Sequence, residues 1–192
     1  RWVKTIYGEI FFWGDSQDPA VGDEIDVGAV PTSVTLFDKS IVLGVGQLGI
    51  QIWELIELES DPVYRASIDL EGTVEAVNLI DDKSLYISQG SYGATYIGLD
   101  DLEIDNESST VTNNFGMTNF AVDLDVDHIS VKNGVAALSL GSKGIALYDV
   151  SDPTDPIERG IFPLGYVYKT EFWGERLVVC SREGLKVINI EK

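Results

Sequence analysis

Cysteine, histidine and methionine occur once each, as Cys180, His128 and Met117. One cysteine excludes an intramolecular disulfide and leaves the redox compartment open. Leu177, Val178 and Val179 precede it, which predicts a small buried hydrophobe rather than a reactive thiol. One histidine cannot assemble an ordinary zinc site without cysteines or several carboxylates beside it. Basic residues are scarce too: 13 Lys and Arg stand against 32 Asp and Glu, a net charge of −19. Such a surface repels nucleic-acid phosphates and anionic membranes, so neither is an expected partner. No apolar run approaches the ~18 residues of a membrane-spanning helix. No stretch keeps helical periodicity over three turns, so almost no helix is expected. Nucleophile and phosphate motifs are missing. Gly44-Val45-Gly46-Gln47-Leu48-Gly49 fits G-x-G-x-x-G, but it joins two strand-like runs instead of opening a helix. No catalytic residue is assigned, and binding is expected rather than catalysis.

What the chain has is a repeat. Gly144-Ile145-Ala146-Leu147-Tyr148-Asp149-Val150 leads into Ser151-Asp152-Pro153. Alternating apolar residues suit a pleated strand with one buried face. Asp folds back on the following backbone and Pro offers no N–H, so the strand stops in a tight turn. Gly49-Ile50-Gln51-Ile52-Trp53-Glu54-Leu55 repeats the pattern and reaches Ser60-Asp61-Pro62. Gly93 and Gly184 open two further copies of the strand alone. An apolar run precedes each glycine: Ile41-Val42-Leu43, Leu85-Tyr86-Ile87, Ala136-Ala137-Leu138 and Leu177-Val178-Val179. A strand pair closed by a glycine-bearing turn is a β-hairpin. Recurrence at intervals of about 40–50 residues is the period of a propeller blade. The glycines are expected at positive φ.

The stretch G-I-A-L-Y-D-V-S-D-P-T-D-P resembles the LVIVD repeat, a β-propeller repeat of bacterial and archaeal proteins often found at the cell surface. The Gly144 copy is close, and the other copies keep mainly the strand. The resemblance implies an all-β propeller of four-stranded antiparallel blades with an interaction role. It brings no catalytic residues.

The strand pattern places blade 1 at about 33–70, blade 2 at about 75–119 and blade 3 at about 126–164. A fourth blade, 167–192 plus 1–27, is expected to be shared by both chain ends, with Gly22–Val27 pairing against Lys186–Ile190. The alternative is a part of a larger propeller. The acidic, then polar, stretch from Asp100 to Asn119 reads as a long surface loop with a short outer strand near Thr110–Asn113.

Two sets of residues are candidate sites. Thr35, Asn78, His128, Ser130 and Glu171 fall on innermost strands, where a polar funnel at the axis would hold a small ligand; their ordinary role is to satisfy neighbouring blades. Asp123, Asp125 and Asp127 alternate with apolar residues, so on a strand they share one face. Asp100 and Asp101 belong to a second acidic run in the loop. Oxygen-rich groups of this kind suit calcium, the one cofactor considered, although neither group has an EF-hand pattern. Solvated acidic surface is the plainer reading, and no cofactor is assigned. With the sequon Asn106-Glu107-Ser108 and the acidic surface, the expectation is a non-enzymatic binding or scaffold module with a protein partner, at the cell surface or secreted. The second reading is a small-ligand or enzymatic propeller using the funnel.

Overall fold

The computed structural model describes residues 3–6, 9–13, 21–37, 39–56, 61–81, 83–99, 104–105, 110–111 and 116–190. All regular elements among them are strands. The first three are β1 (Val3–Ile6), β2 (Glu9–Trp13) and β3 (Val21–Asp26), which form a three-stranded sheet in sequence order. Unit 1 follows with β4 (Ser33–Phe37), β5 (Ser40–Gly44), β6 (Ile50–Glu54) and β7 (Val63–Ile68). Unit 2 has β8 (Ala76–Ile80), β9 (Ser84–Ser88) and β10 (Ala94–Gly98). Two short strands, β11 (Ile104–Asp105) and β12 (Thr110–Val111), come before its fourth strand, β13 (Met117–Phe120). Unit 3 comprises β14 (His128–Lys132), β15 (Val135–Ser139), β16 (Ile145–Asp149) and β17 (Ile157–Phe162). A terminal sheet of β18 (Val167–Trp173), β19 (Arg176–Ser181) and β20 (Gly184–Asn189) completes the chain.

Each unit is an antiparallel meander of four strands. The glycine column behaves as the repeat requires: Gly49, Gly93, Gly144 and Gly184 have φ of 75°, 82°, 91° and 118°. In the three units this glycine also lies under its own sheet's outer chain. A Cβ at Gly49 would stand 2.1 Å from the Ile68 carbonyl oxygen, and one at Gly144 2.2 Å from that of Phe162. The register between third and fourth strands slips at Ile52/Trp53 in unit 1 and Leu147/Tyr148 in unit 3, the same place in the repeat. A bulge there sharpens the right-handed twist of the outer strand.

Successive sheets hook together in a repeated way. The turn glycine after the second strand bridges to a valine at or just ahead of the start of the next inner strand, as Gly46–Val74, Gly90–Val126 and Gly141–Val167. All three valines are fully buried. A second tie crosses three of the seams. Gln51 Nε2 donates to the Val27 carbonyl at 3.1 Å, Gln89 Nε2 to that of Glu71 at 2.6 Å, and Lys186 Nζ to that of Leu164 at 2.7 Å. Each acceptor stands just before a glycine at positive φ: Gly28, Gly72 and Gly165. The apolar cores lie between sheets. One holds Ile50, Ile52 and Ile68 of unit 1 against Leu85, Ile87 and Ile97 of unit 2. Another packs Ala94 and Phe120 on Ile129, Leu138 and Tyr148. A third packs Ile145 and Leu147 on Leu177 and Val179.

Three expectations change. Thr110–Val111 is a strand, but it runs parallel to β7 of unit 1 through Thr110 and Ser67, beside β11. The fourth strand of unit 2 is β13 instead, because it brings Phe120 opposite Ala94 and buries that ring against unit 3. The ladder expected between Gly22–Val27 and Lys186–Ile190 is not formed among the described residues. β3 pairs with β2, with Ile10 opposite Ile25, a partner close in sequence and therefore cheap in loop entropy. Cys180 is exposed, not buried, since it points to the side of the terminal sheet that no other sheet covers among the described residues.

Candidate functional site

The inner strands β4, β8, β14 and β18 lie side by side in that order, which brings the five polar candidates into one region. Their roles diverge there. Ser33 Oγ accepts the Val77 N–H at 3.0 Å, tying β4 to β8. Ser130 is fully buried, with its hydroxyl 3.1 Å from that of Thr170. Thr170 also donates toward the Ala137 carbonyl at 3.3 Å. This pair joins β14 to β18 and faces no solvent. Thr170 was not a sequence candidate: Glu171 holds the place of Ser130 in its own sheet, opposite Val178 as Ser130 is opposite Ala137, but it points away from unit 3 and is exposed, while its neighbour Thr170 points toward unit 3 and meets Ser130. Thr35 and Asn78 are half-buried, and Asn78 Oδ1 is a buried acceptor without a protein partner. His128 Nδ1 is in the same state. Burial, and then the Lys169 cation, push the His128 pKa down to about 4, so the ring is neutral at physiological pH.

The acidic residues do not form one face. Val122 and Asp123 belong to a turn with Ala121 at φ 54°, closed by the Leu124 N–H on the Ala121 carbonyl at 2.9 Å. Asp123, Asp125 and Asp127 are therefore not on a common strand, because that turn interrupts the alternation. Asp125 and Asp127 instead stand toward Glu75. Burial, then Asp127 and Asp125, hold the Glu75 carboxyl above its usual range; burial and then Asp125 raise that of Asp127. Among the described residues no three His, Cys, Asp or Glu side chains converge as metal ligands. Asp100 and Asp101 lie outside the described residues.

A cleft that the sequence reading missed lies on the face carrying the Gly90–Gly93 turn. It has a volume of about 430 Å³ and runs between the exit of unit 1 and the outer strand of unit 2. Asp69, Glu71, Tyr92, Met117 and Val122 line it, together with Gln89 and Asn119. Gly72 makes room for the tyrosine: a Cβ there would come within 2.6 Å of the ring. A polar network centred on Thr95 lies among these residues. Thr95 Oγ1 bonds Gln89 Oε1 and lies 2.7 Å from Asn119 Oδ1, while Gln89 Nε2 holds Glu71. Among the described residues the lining offers carboxylates and exposed apolar surface and no cation. The available signal was Gln89 itself, a polar residue where the other turns carry Val45 and Leu140.

No protein-family model matches this chain, and no curated protein matches it. Solved structures do. The structure of U3-55K aligns at a TM-score of 0.71 with 14% identity over 98% of this chain and 64% of that one. The RRP9 WD40 repeats align at 0.72 with 13% identity, over 98% and 63%. The computationally designed Ika4 protein aligns at 0.62 with 11% identity, over 85% and 93%. At these identities the likeness is one of fold: blade-like four-stranded antiparallel sheets of the WD40 type. This chain spans a little under two thirds of the length of the two WD40-related structures.

Proposed function

We propose that the chain is a non-enzymatic interaction module built as a β-propeller or a sector of one, with a protein partner at the cell surface or in a secreted setting. The cleft between Asp69, Glu71 and Tyr92 carries this reading. It combines two carboxylates with an exposed aromatic ring, a methionine and a valine, and it is set in a chain of net charge −19. That lining suits a basic side chain on an extended segment: the carboxylates steer and pair the cation while the ring and Met117 take its aliphatic stem. The fold of the WD40-type neighbours and the LVIVD-like repeat point the same way. The test is binding of an Arg- and Lys-containing peptide library at two salt concentrations, against Tyr92→Ala and Glu71→Gln. Basic peptides that bind and are weakened at least tenfold by either change uphold the proposal; selection of neutral peptides indifferent to both overturns it.

A small-ligand reading of the inner strands has one observation in its favour, the unpartnered Asn78 Oδ1 and His128 Nδ1. A ligand there would move the His128 ring resonances. A metabolite screen that leaves them unmoved, while basic peptides bind the cleft, removes this reading.

A further inference from the structure

A second opening lies on the same turn-bearing face, one seam before the first. It has a volume of about 470 Å³ and is lined by Gly28, Ala29 and Val30, which follow β3, and by the unit 1 turn with Gly46, Gln47 and Leu48. Thr73 also lines it, while Asp69, Leu70 and Glu71 line the first cleft. One connection, residues 69–73, therefore divides the two openings. They flank unit 1, one in the seam on each side of it. Their chemistry differs. No charged side chain lines the second opening among the described residues. Thr32, one of its few polar residues, spends its hydroxyl on the Val74 carbonyl at 2.7 Å. Val30 and Leu48 stand there 65% and 50% exposed.

The repeat shows that this apolar surface is local. The residue just before the turn glycine is Leu48 in unit 1 and Tyr92 in unit 2, but Lys143 in unit 3 and Glu183 in the terminal sheet. Turn tips ordinarily take polar residues, so two consecutive tips with large exposed apolar side chains mark a surface that something covers. We propose that one extended segment of a partner protein lies across both openings, with a bulky aliphatic side chain in the second and a basic side chain in the first. The proposal rests on the reading of the first cleft given above and adds the second anchor. Charge selects the occupant. Asp69 and Glu71 call for a cation, and a second copy of this chain, at net −19, is repelled by the first. Geometry sets the motif. Packed sheets stand about 10 Å apart, and side chains on one face of an extended segment stand about 7 or 13 Å apart at spacings of two or four residues. The aliphatic and basic residues of the partner therefore sit two or four positions apart.

The probes are synthetic Ser/Gly peptides with one fixed Arg and one Leu placed one, two or four positions from it on either side, titrated into the intact chain and followed by amide chemical shifts. Leu at two or four positions should tighten binding at least fivefold over the same peptide with Ala, and should move the amides of Gln47 and Leu48. Leu next to Arg points to the opposite face and should give no gain. Leu48→Ser, at an exposed position the fold does not need, should remove the gain and leave the Leu-free peptide unchanged; Glu71→Gln should weaken every peptide. If Arg peptides bind the first cleft and Leu adds nothing at any spacing, the second anchor is overturned while the reading of the first cleft stands. The same holds if one of the chain's own segments fills the second opening, since no gain would appear. A gain that survives Leu48→Ser overturns the proposal, as does self-association in sedimentation that Leu48→Ser disperses, which would put a second copy on this face. Failure of every Arg peptide to bind overturns both readings.

Discussion

Unit 3 and the terminal sheet are copies of one pattern in unequal surroundings. Both carry the hairpin, the positive-φ glycine and an apolar residue directly after it. In unit 3 that residue, Ile145, is sealed between sheets; in the terminal sheet its counterpart Leu185 faces water. Gly144 is pinned under Phe162, and Gly184 has open space around it. Side-chain alternation thus specifies which residues can be buried, and only the next strand and the next sheet decide which ones are. The hydrophobic gain of about 25 cal/mol for each Å² removed from water is collected at Ile145 and, among the described residues, not at Leu185.

The glycine pair should break the symmetry most. Gly144→Val drives a side chain into the Phe162 carbonyl and the Leu164 amide, and we expect a loss above about 4 kcal/mol or failure to fold. Gly184→Val meets only backbone strain, about 1–3 kcal/mol. Urea melts of both proteins give the difference, and equal losses would count against an empty fourth-strand position. The apolar pair is next. Ile145→Ala should cost about 2–5 kcal/mol, since a sealed side chain leaves a cavity; Leu185→Ala should stay within about 0.5 kcal/mol. The seam between the two sheets is probed by Thr170→Val, which strands the buried Ser130 hydroxyl at a cost of about 1–3 kcal/mol. In a double-mutant cycle, Ser130→Ala should cancel much of that cost.

The smallest expected effect is in pH. The His128 pKa is about 4 in the fold against 6.5 for the free side chain. Between those values the unfolded chain binds the proton more readily, so stability falls as pH drops from 6.5 toward 4 and levels off below. Glu75 and Asp127 act oppositely. Their raised pKa values favour the fold below the ordinary carboxylate range, and that benefit is lost as pH rises through their folded values. His128→Gln should flatten the fall between pH 6.5 and 4 by roughly 1 kcal/mol, allowing for the part of the ring that water reaches. An unchanged profile in thermal melts would show that the ring is not held neutral.

The units themselves were legible in the sequence. Alternation set their inner strands to within a residue or two, and the spacing of Gly49, Gly93, Gly144 and Gly184 fixed the turns at the observed positive φ. The fourth strand of unit 2 was not legible: Met117–Phe120 is short and carries one deeply buried residue, Phe120, whose value depends on unit 3. The acidic row failed for a local reason, a turn at Ala121 that apolar alternation does not reveal. In the inner-strand column Glu171 keeps the register of Ser130, but packed sheets meet through opposite faces, so its neighbour Thr170 is the residue against Ser130. The cleft escaped because its walls come from distant segments, Asp69–Glu71 and Met117–Val122, that meet only once units 1 and 2 stack. The exposure of Cys180 depends on which sheet faces it, and no feature of Leu177–Ser181 encodes that.

Residue-resolved hydrogen exchange on the free chain tests the central contrast most directly. β16 is laddered on both edges, to β15 and β17, whereas among the described residues β20 is laddered on one, to β19. The amides of Ile145–Asp149 should therefore all exchange slowly, while in Gly184–Asn189 slow and fast amides should alternate, the fast ones lying on the edge away from β19. Uniform slow exchange along β20 would mean that its outer edge is already paired in the free chain, and would contradict the contrast between the two sheets.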